Sequence, residues 1–178
     1  MTKRFLLLAP LALAACQPPS SPPATAPTAT DDQADIATAV ARDYMIRYSQ
    51  DVCVDPVTTG RAGPEEIPHD LVNRTIVWTS LIRDPRGMYQ PINKDAAASI
   101  EKAWDGVRAG NYPGVTLPAD ALPQRKEPCA KTLKLMTPIV AGDMGFVRWS
   151  DGTARRTMAL RKGGHGWSVV AEGPAKIG

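Results

Sequence analysis

The chain has 178 residues with 21 Lys and Arg against 18 Asp and Glu, a formal charge of +3, 3 cysteines and 2 histidines. This length predicts one domain with at most a tail, and a charge of +3 is too small to indicate nucleic-acid binding. Two histidines and three cysteines leave little material for a metal centre, so we expect neither a metal nor another cofactor.

Residues 1–15 have the pattern of an export signal. Lys3 and Arg4 give a basic start, and residues 5–15 (FLLLAPLALAA) are almost wholly apolar. The apolar run is too short to span a bilayer as a helix, which needs about 20 residues, but it suits the apolar region of a signal peptide. We therefore predict that residues 1–15 are removed on export.

The end of this segment, Leu13-Ala14-Ala15-Cys16, resembles the lipobox of bacterial lipoproteins. In that family the cysteine becomes the lipidated N-terminus of the mature chain. The resemblance implies a membrane anchor of acyl chains such as palmitate on Cys16, each buried methylene contributing about 0.8 kcal/mol. Gln17 replaces the aspartate that commonly retains such proteins at the inner membrane, which implies an outer-membrane lipoprotein facing the periplasm. Loss of Lys3 and Arg4 leaves 19 basic and 18 acidic side chains.

Residues 16–30 are predicted to be a lipidated cysteine followed by a disordered tether. The sequence after Cys16, QPPSSPPATAPTAT, contains five prolines and nothing that could form a core. Fully extended at about 3.1 Å per residue, such a tether reaches roughly 40 Å. Residues 31–178 are then the single domain.

The domain opens with an amphipathic helix, predicted over residues 31–49. Thr30 and Gln33 have the spacing of a capping box, and apolar residues recur at helical spacing after them. Tyr44 and Tyr48 lie one turn apart on the apolar face, and we expect them to be core aromatics rather than a ligand platform.

Three further segments precede the C-terminal part. Residues 54–68 are rich in proline and glycine, which predicts a loop. Residues 70–82 fit a strand by propensity and a helix by spacing, and we favour the helix. Residues 93–110 predict a second helix that Asn93 or Asp95 caps.

The sequence of the last part of the chain predicts four short strands. They cover residues 131–140, 144–150, 154–161 and 167–172. Gly142-Asp143, Asp151-Gly152 and Gly163-Gly164 separate them, and such pairs favour tight hairpins. The predicted fold is α+β, with the N-terminal helices packed on a four-stranded antiparallel meander. Its inner face is predicted to carry Phe146, Met158, Leu160, Trp167 and Val169.

A long first helix and a sheet ending in GGHGWSVV (residues 163–170) also resemble the cystatin-like and NTF2-like small domains of exported bacterial proteins. The resemblance covers only the C-terminal part of the chain. It implies a curved sheet that often encloses a pocket, and it places no catalytic residue.

With Cys16 assigned to lipid, Cys53 and Cys129 remain as a pair. Export to an oxidising compartment favours a disulfide between them, because redox-active pairs usually lie close together as C-x-x-C. Closing so long a loop is worth about 4 kcal/mol in the chain-entropy account. We expect a structural disulfide.

Charge is unevenly distributed along the domain. Residues 31–124 hold 9 basic and 14 acidic side chains, whereas residues 125–178 hold 10 basic and 4 acidic ones. The basic excess is either a patch for an acidic protein, anionic lipid or anionic glycan, or protection of exposed strands against edge pairing. The candidate binding residues are Arg148, Arg155, Arg156 and Arg161.

No nucleophile elbow, phosphate loop, dinucleotide fingerprint or zinc motif occurs in the sequence. The leading hypothesis is therefore a non-enzymatic, lipid-anchored binding or accessory protein of the bacterial envelope, which engages a protein partner or ligand through its sheet. One alternative is an immunity or inhibitor lipoprotein against an envelope-targeting toxin hydrolase. The other is an envelope hydrolase that uses His69 with Asp70.

Overall fold

The structure is a computed structural model, and it describes residues 26–48, 51–61, 79–83, 89–120, 122, 129, 131–173 and 176–177. The helices in these ranges are α1 (Asp31–Tyr48) and α2 (Lys94–Val107). The strands are β1 (Val52–Val54), β2 (Thr79–Arg83), β3 (Tyr89–Pro91), β4 (Lys131–Leu135), β5 (Ile139–Ala141), β6 (Met144–Ser150), β7 (Ala154–Gly163), β8 (Gly166–Glu172) and β9 (Lys176–Ile177). The fold is α+β, as predicted.

The strands form one mixed sheet in the order β1-β4-β6-β7-β8-β2-β3, with β5 also beside β6 and β9 beside β7. The β1–β4 pair is parallel and the other pairs are antiparallel. The sheet thus differs from the four-stranded antiparallel prediction. The strand predicted over residues 131–140 is divided into β4 and β5, and pairing with strands from earlier in the chain extends the sheet at both edges.

Helix α1 begins at the predicted cap. The Thr30 N–H donates to Gln33 Oε1 at 3.0 Å, and the Gln33 N–H donates to Thr30 Oγ1 at 3.3 Å. These reciprocal bonds satisfy two amides that the first turn leaves without helical partners. The Tyr44 ring is buried and meets the Trp149 ring edge-on at 5.1 Å, so its prediction as a core aromatic is confirmed. Tyr48 is partly buried against the same cluster.

The two helices cover opposite faces of the sheet. Along β6, Val147 and Trp149 pack in the cluster of α1, while Met144 and Phe146 pack with α2. Strand side chains alternate between faces, so the prediction that Phe146 shares a single helix-covered face with the other four inner-face candidates is wrong. Its ring instead lies 5.3 Å from that of Trp104 on α2. The other predicted inner-face residues pack toward α1: Met158, Leu160, Trp167 and Val169.

Strand β2 contradicts the helix that we favoured over residues 70–82. In the part of that segment that the structure describes, Thr79 pairs with Pro91 of β3 on one side and with Glu172 of β8 on the other. The local pattern fitted both structures, and pairing with distant strands decides between them. Helix α2 agrees better with its prediction, because Asn93 Oδ1 accepts a 2.7 Å hydrogen bond from the Ala96 N–H.

Residues 26–29, which we predicted to be tether, pair with the backbone of the domain. The Ala29 N–H donates to the Thr116 oxygen at 2.9 Å, and the Thr116 N–H donates to the Pro27 oxygen at 2.8 Å. Further bridges join Thr116 to Val57 and Thr59 to Met136. Four backbone segments therefore lie side by side as a ribbon, in the order 26–29, 112–117, 57–61 and 136–137.

Candidate functional site

The four arginines that the sequence suggested for binding lie at different places in the structure. Arg156 lies on the α1 side and forms an ion pair with Glu172. Arg161 is exposed, with its Nε 3.8 Å from Asp143 Oδ2. Arg148 lies on the opposite face, where it lines a recess, and Arg155 is exposed. The four do not form one patch.

Arg156 belongs to an internal ion cluster beneath α1. Glu172 has no exposed surface, and its Oε2 accepts from Arg47 Nη1 at 2.8 Å and from Arg156 Nη1 at 2.9 Å. Arg47 Nη2 also donates to Asp43 Oδ2 at 2.7 Å. Burial raises the pKa of Glu172, although both guanidinium groups act in the opposite direction. The cluster joins α1 to β7 and β8, and its role is structural.

A second polar cluster joins α1 to the β6–β7 turn. Asp151 Oδ2 accepts from Tyr44 Oη and from Lys131 Nζ, both at 2.9 Å. Its Oδ1 accepts from the Thr153 and Ala154 amides at 2.9 and 2.8 Å. Burial alone would raise the pKa of Asp151, but these hydrogen bonds outweigh burial and lower the pKa below its usual range. The Asp151-Gly152 turn therefore also holds the helix in place.

We expect Asp151→Asn to lower the free energy of unfolding at neutral pH by about 1–3 kcal/mol, because hydrogen bonds to a charged carboxylate are lost. The folded pKa lies below the ordinary aspartate value of about 3.9, so this stabilisation is complete above that value and is lost as pH falls toward the folded pKa. Urea unfolding across a pH series should show a constant difference between the two proteins near neutrality that narrows below about pH 4. A difference that widens in acid would contradict this account.

The remaining candidate is a shallow recess on the α2 face, which we call the arginine recess. It has room for about one or two water molecules at its base and opens to solvent. Two cationic side chains, two aromatic rings and two hydroxyls are among the groups that line it. They belong to Arg61, Arg148, Trp104, Phe146, Thr137 and Thr157.

Arg61 enters the recess from the ribbon. Its backbone exchanges two hydrogen bonds with Tyr112, at 2.6 and 2.7 Å, which hold the residue in place. The guanidinium carbon lies 5.5 Å from the centre of the Trp104 ring, within the range of a cation–π contact. Burial lowers the pKa of Arg61, and the charge of Arg108 acts in the same direction while Tyr112 opposes it. Only 8% of the residue is exposed.

Arg148 enters from the centre of β6. Its Nε and Nη2 both donate to Thr157 Oγ1 on the neighbouring strand β7, at 3.2 and 3.1 Å. Burial lowers the pKa of Arg148 to about 10, and the charges of Arg61 and Arg155 contribute to the decrease. The group is still cationic at neutral pH. The positive charges of Arg61, in the recess, and of Arg155 are therefore close enough to Arg148 to repel its guanidinium group.

This arrangement suits a small anion. Guanidinium groups present planar sets of N–H donors that match the oxygens of carboxylates and phosphates. The Trp104 and Phe146 rings border the same space, so an anion there is less screened by water than at an open surface. An anion would also relieve the repulsion between Arg61 and Arg148. The room at the base of the recess, for about one or two water molecules, limits what can enter to the end group of a larger ligand.

The hydrolase hypothesis depends on two residues that follow the ribbon segment 57–61. His69 and Asp70 lie outside the described residues, as does the lipidation candidate Cys16. His165 is exposed in the turn between β7 and β8. Among the residues with described placement, no three His, Cys, Asp or Glu side chains are grouped as a metal site would require.

Cys53 and Cys129 are joined by a disulfide with their Cα atoms 5.6 Å apart. Cys53 lies in β1, opposite Thr132 of β4, and Cys129 precedes β4. The bond therefore holds the parallel edge strand against the rest of the sheet.

Arg61 was not among the binding residues predicted from the sequence. It lies in the segment Gly60-Arg61-Ala62-Gly63, which the glycines predict to be a loop. No periodicity connects it to Arg148, because the ribbon and β6 meet only in the folded chain. The one available signal was that Arg61 is the single basic residue of the loop predicted over residues 54–68.

Comparison with known protein families, with curated proteins and with solved structures finds no match to this chain. Neither helix in the described ranges is long and apolar enough to cross a bilayer.

Proposed function

We propose that the protein is a lipoprotein of the bacterial envelope, anchored through Cys16 to the outer membrane and facing the periplasm. Its domain acts as a binding or accessory module without catalytic activity. It engages an anionic ligand, or an anionic group on a partner, at the arginine recess of its sheet. The observation that supports this proposal is the convergence of Arg61 and Arg148 on one recess with aromatic walls.

The proposed location in the cell is supported by the export signal in residues 1–15, and the structure of the domain is compatible with that location. The Cys53–Cys129 disulfide suits an oxidising compartment.

We also propose that the C-terminal part is a variant of a cystatin-like or NTF2-like domain. Support comes from the position of α1 before the sheet and from the hairpins that connect β6, β7 and β8. The parallel β1–β4 pair and the packing of α2 on the second face are additions to the simple four-stranded plan.

Metabolic labelling with palmitate tests the anchor. We expect label on the wild-type chain and a shift of the mature protein to the membrane fraction, both lost in Cys16→Ser.

Capture from detergent-solubilised membranes, with Arg148→Gln as the comparison, tests binding at the recess. A toxin hydrolase as the specific partner would favour the immunity hypothesis instead. Unlabelled wild-type protein with an intact leader would overturn the anchor.

A further inference from the structure

We propose that the protein forms a two-fold dimer in which β8 pairs with β8 of a second copy and α1 packs beside α1 of that copy. The surface involved, which we call the edge groove, lies between residues 35–46 of α1 and residues 165–169 at the start of β8. This inference goes beyond the proposed function and depends neither on the lipid anchor nor on the arginine recess, which lies on the α2 face.

The outer edge of β8 has backbone groups that point away from the sheet. The Lys162 N–H donates to the Asp143 oxygen at 2.8 Å, so the backbone of Lys162 points away from β8. Its neighbour on β8, Trp167, therefore belongs to a pair without hydrogen bonds, and the N–H and C=O of Trp167 point outward. Val169, two residues along the strand, points the same way. Among the described strands, β2 lies on this side, and its register meets β8 only at Glu172.

This edge is complementary to itself under a two-fold axis through Ser168. Antiparallel pairing about that residue places Trp167 of each copy opposite Val169 of the other. Both residues direct their N–H and C=O groups outward, so each of these two equivalent pairs can form two hydrogen bonds. Residues 166–170 (GWSVV) contain neither proline nor a charged side chain, which are the usual protection of a strand edge against pairing. The edge is therefore competent to pair with a second copy.

Helix α1 runs beside β8 in the same direction. Near the start of the helix, Trp167 Nε1 donates to Asp32 Oδ1 at 2.9 Å. Near its end, Arg47 Nη1 donates to Glu172 Oε2 at 2.8 Å. A two-fold axis perpendicular to β8 therefore makes the two α1 helices antiparallel, as it does the two strands. Both helices then lie on one face of the extended sheet and flank the axis.

The helix side of the edge groove carries two opposite charges seven residues apart. Asp35 and Arg42 are exposed there, with the partly buried Ala39 between them. Neither charged side chain forms an ion pair with a residue that the structure describes. Residues seven apart share one side of a helix, so an antiparallel pair centred near Ala39 brings Asp35 of each copy to Arg42 of the other. One interface would thus contain two equivalent ion pairs.

The order of these groups favours a second copy over other occupants of the groove. Asp43, which also lines it, is paired with Arg47 at 2.7 Å, so Asp35 and Arg42 supply the charges that remain for a partner. Because their signs differ, a partner of one charge sign would be attracted at one of them and repelled at the other. Ile46, 82% exposed on the same side of α1, adds an apolar surface at the end of the groove. The start of the second α1 would cover it.

Sedimentation equilibrium with the anchor removed tests the proposal. For residues 16–178 with Cys16→Ser, we expect the mass to approach that of a dimer as the concentration rises. Arg42→Asp and Asp35→Arg each place like charges opposite one another twice in the dimer, and each should weaken it at least about tenfold. The matched control is Lys102→Asp, which reverses an exposed cation on α2 and should change the dissociation constant less than about twofold.

Mixing the two charge-reversed chains gives the sharpest expectation. In a mixed dimer the two introduced charges are opposite and face one another, and the unchanged Asp35 and Arg42 form the second pair. The mixture should therefore recover the affinity of the wild type to within about twofold, although each variant alone is mainly monomeric at the same concentration. A mixture that stays monomeric would overturn the proposed arrangement.

Amide hydrogen exchange reports on the strand edge without any substitution at the interface. The N–H groups of Trp167 and Val169 should exchange rapidly in dilute protein and become protected as the dimer forms. Slow exchange at every concentration would overturn the proposal, because the edge would then be paired within one chain. So would a chain that stays monomeric at all concentrations, or a dimer that the charge reversals weaken no more than Lys102→Asp does. Circular dichroism shows whether each variant folds, and the exchange result decides the question if one does not.

Discussion

Replacing Glu172 by alanine is expected to destabilise the domain by about 3–5 kcal/mol, because it leaves buried positive charge without the carboxylate that balances it. Arg47 and Arg156 would then face each other across the space beneath α1 at the sites that Oε2 now joins. For a domain of this size the loss corresponds to a decrease in melting temperature of roughly 10 °C or more. Thermal and urea unfolding monitored by circular dichroism would measure it.

Two comparison variants distinguish the stability cost of removing a buried carboxylate from the cost of removing an exposed one. Asp105→Ala breaks the exposed ion pair with Arg108, whose side chains are 53% and 46% exposed, and should cost less than about 1 kcal/mol. Adding Arg156→Ala to Glu172→Ala removes one of the two cations and should recover part of the loss. A cost for Glu172→Ala as small as that for Asp105→Ala would show that the cluster does not hold α1 on the sheet.

The parts of the fold that the sequence predicted well are those that local chemistry determines. The capping box at Thr30 and Gln33 acts within one turn, and the predicted first helix agrees with α1 to within one residue. Asn93 likewise caps α2 through a contact three residues away. Such signals need no knowledge of the rest of the chain.

The parts that the sequence did not predict depend on pairing between distant segments. Thr79–Arg83 became a strand because β3 and β8 lie on its two sides. Phe146 was assigned to the wrong face because the second helix was assumed to join the first. Alternation along β6 was available from the sequence, but which helix covers which face was not.

The candidate site likewise combines a residue that the sequence could indicate with one that depends on contacts between distant segments. Arg148 could be named from the basic character of the C-terminal part, whereas Arg61 could not, because the ribbon that carries it is a tertiary structure. The sequence also grouped Arg156 with Arg148. In the sheet, however, Arg156 of β7 pairs with Trp149, the residue after Arg148 on β6, so the two arginines lie on opposite faces. One is the partner of a buried carboxylate and the other lines the recess.

The disulfide connects the stability of the domain to its proposed destination. We expect the double variant Cys53→Ala with Cys129→Ala to lose about 4 kcal/mol, since the bond closes a loop between residues separated by 76 positions. The edge strand β1 should be the first to separate from the sheet, because in the described chain it pairs only with β4. Reduction should lower the melting temperature of the wild type by roughly 10 °C and leave that of the variant unchanged.

The same bond gives a test of export inside the cell. The wild type should resist thiol alkylation until it is reduced. A chain without residues 1–16, which also lacks the Cys16 thiol, stays in the reducing cytoplasm and should react at Cys53 and Cys129. That retained chain lacks the constraint of the crosslink, so it should also be cleaved faster by protease, at a rate close to that of the double-alanine variant. Equal alkylation of the two chains would contradict an oxidising destination. A cost of removing the disulfide below about 1 kcal/mol would instead mean that the sheet alone holds β1 in place.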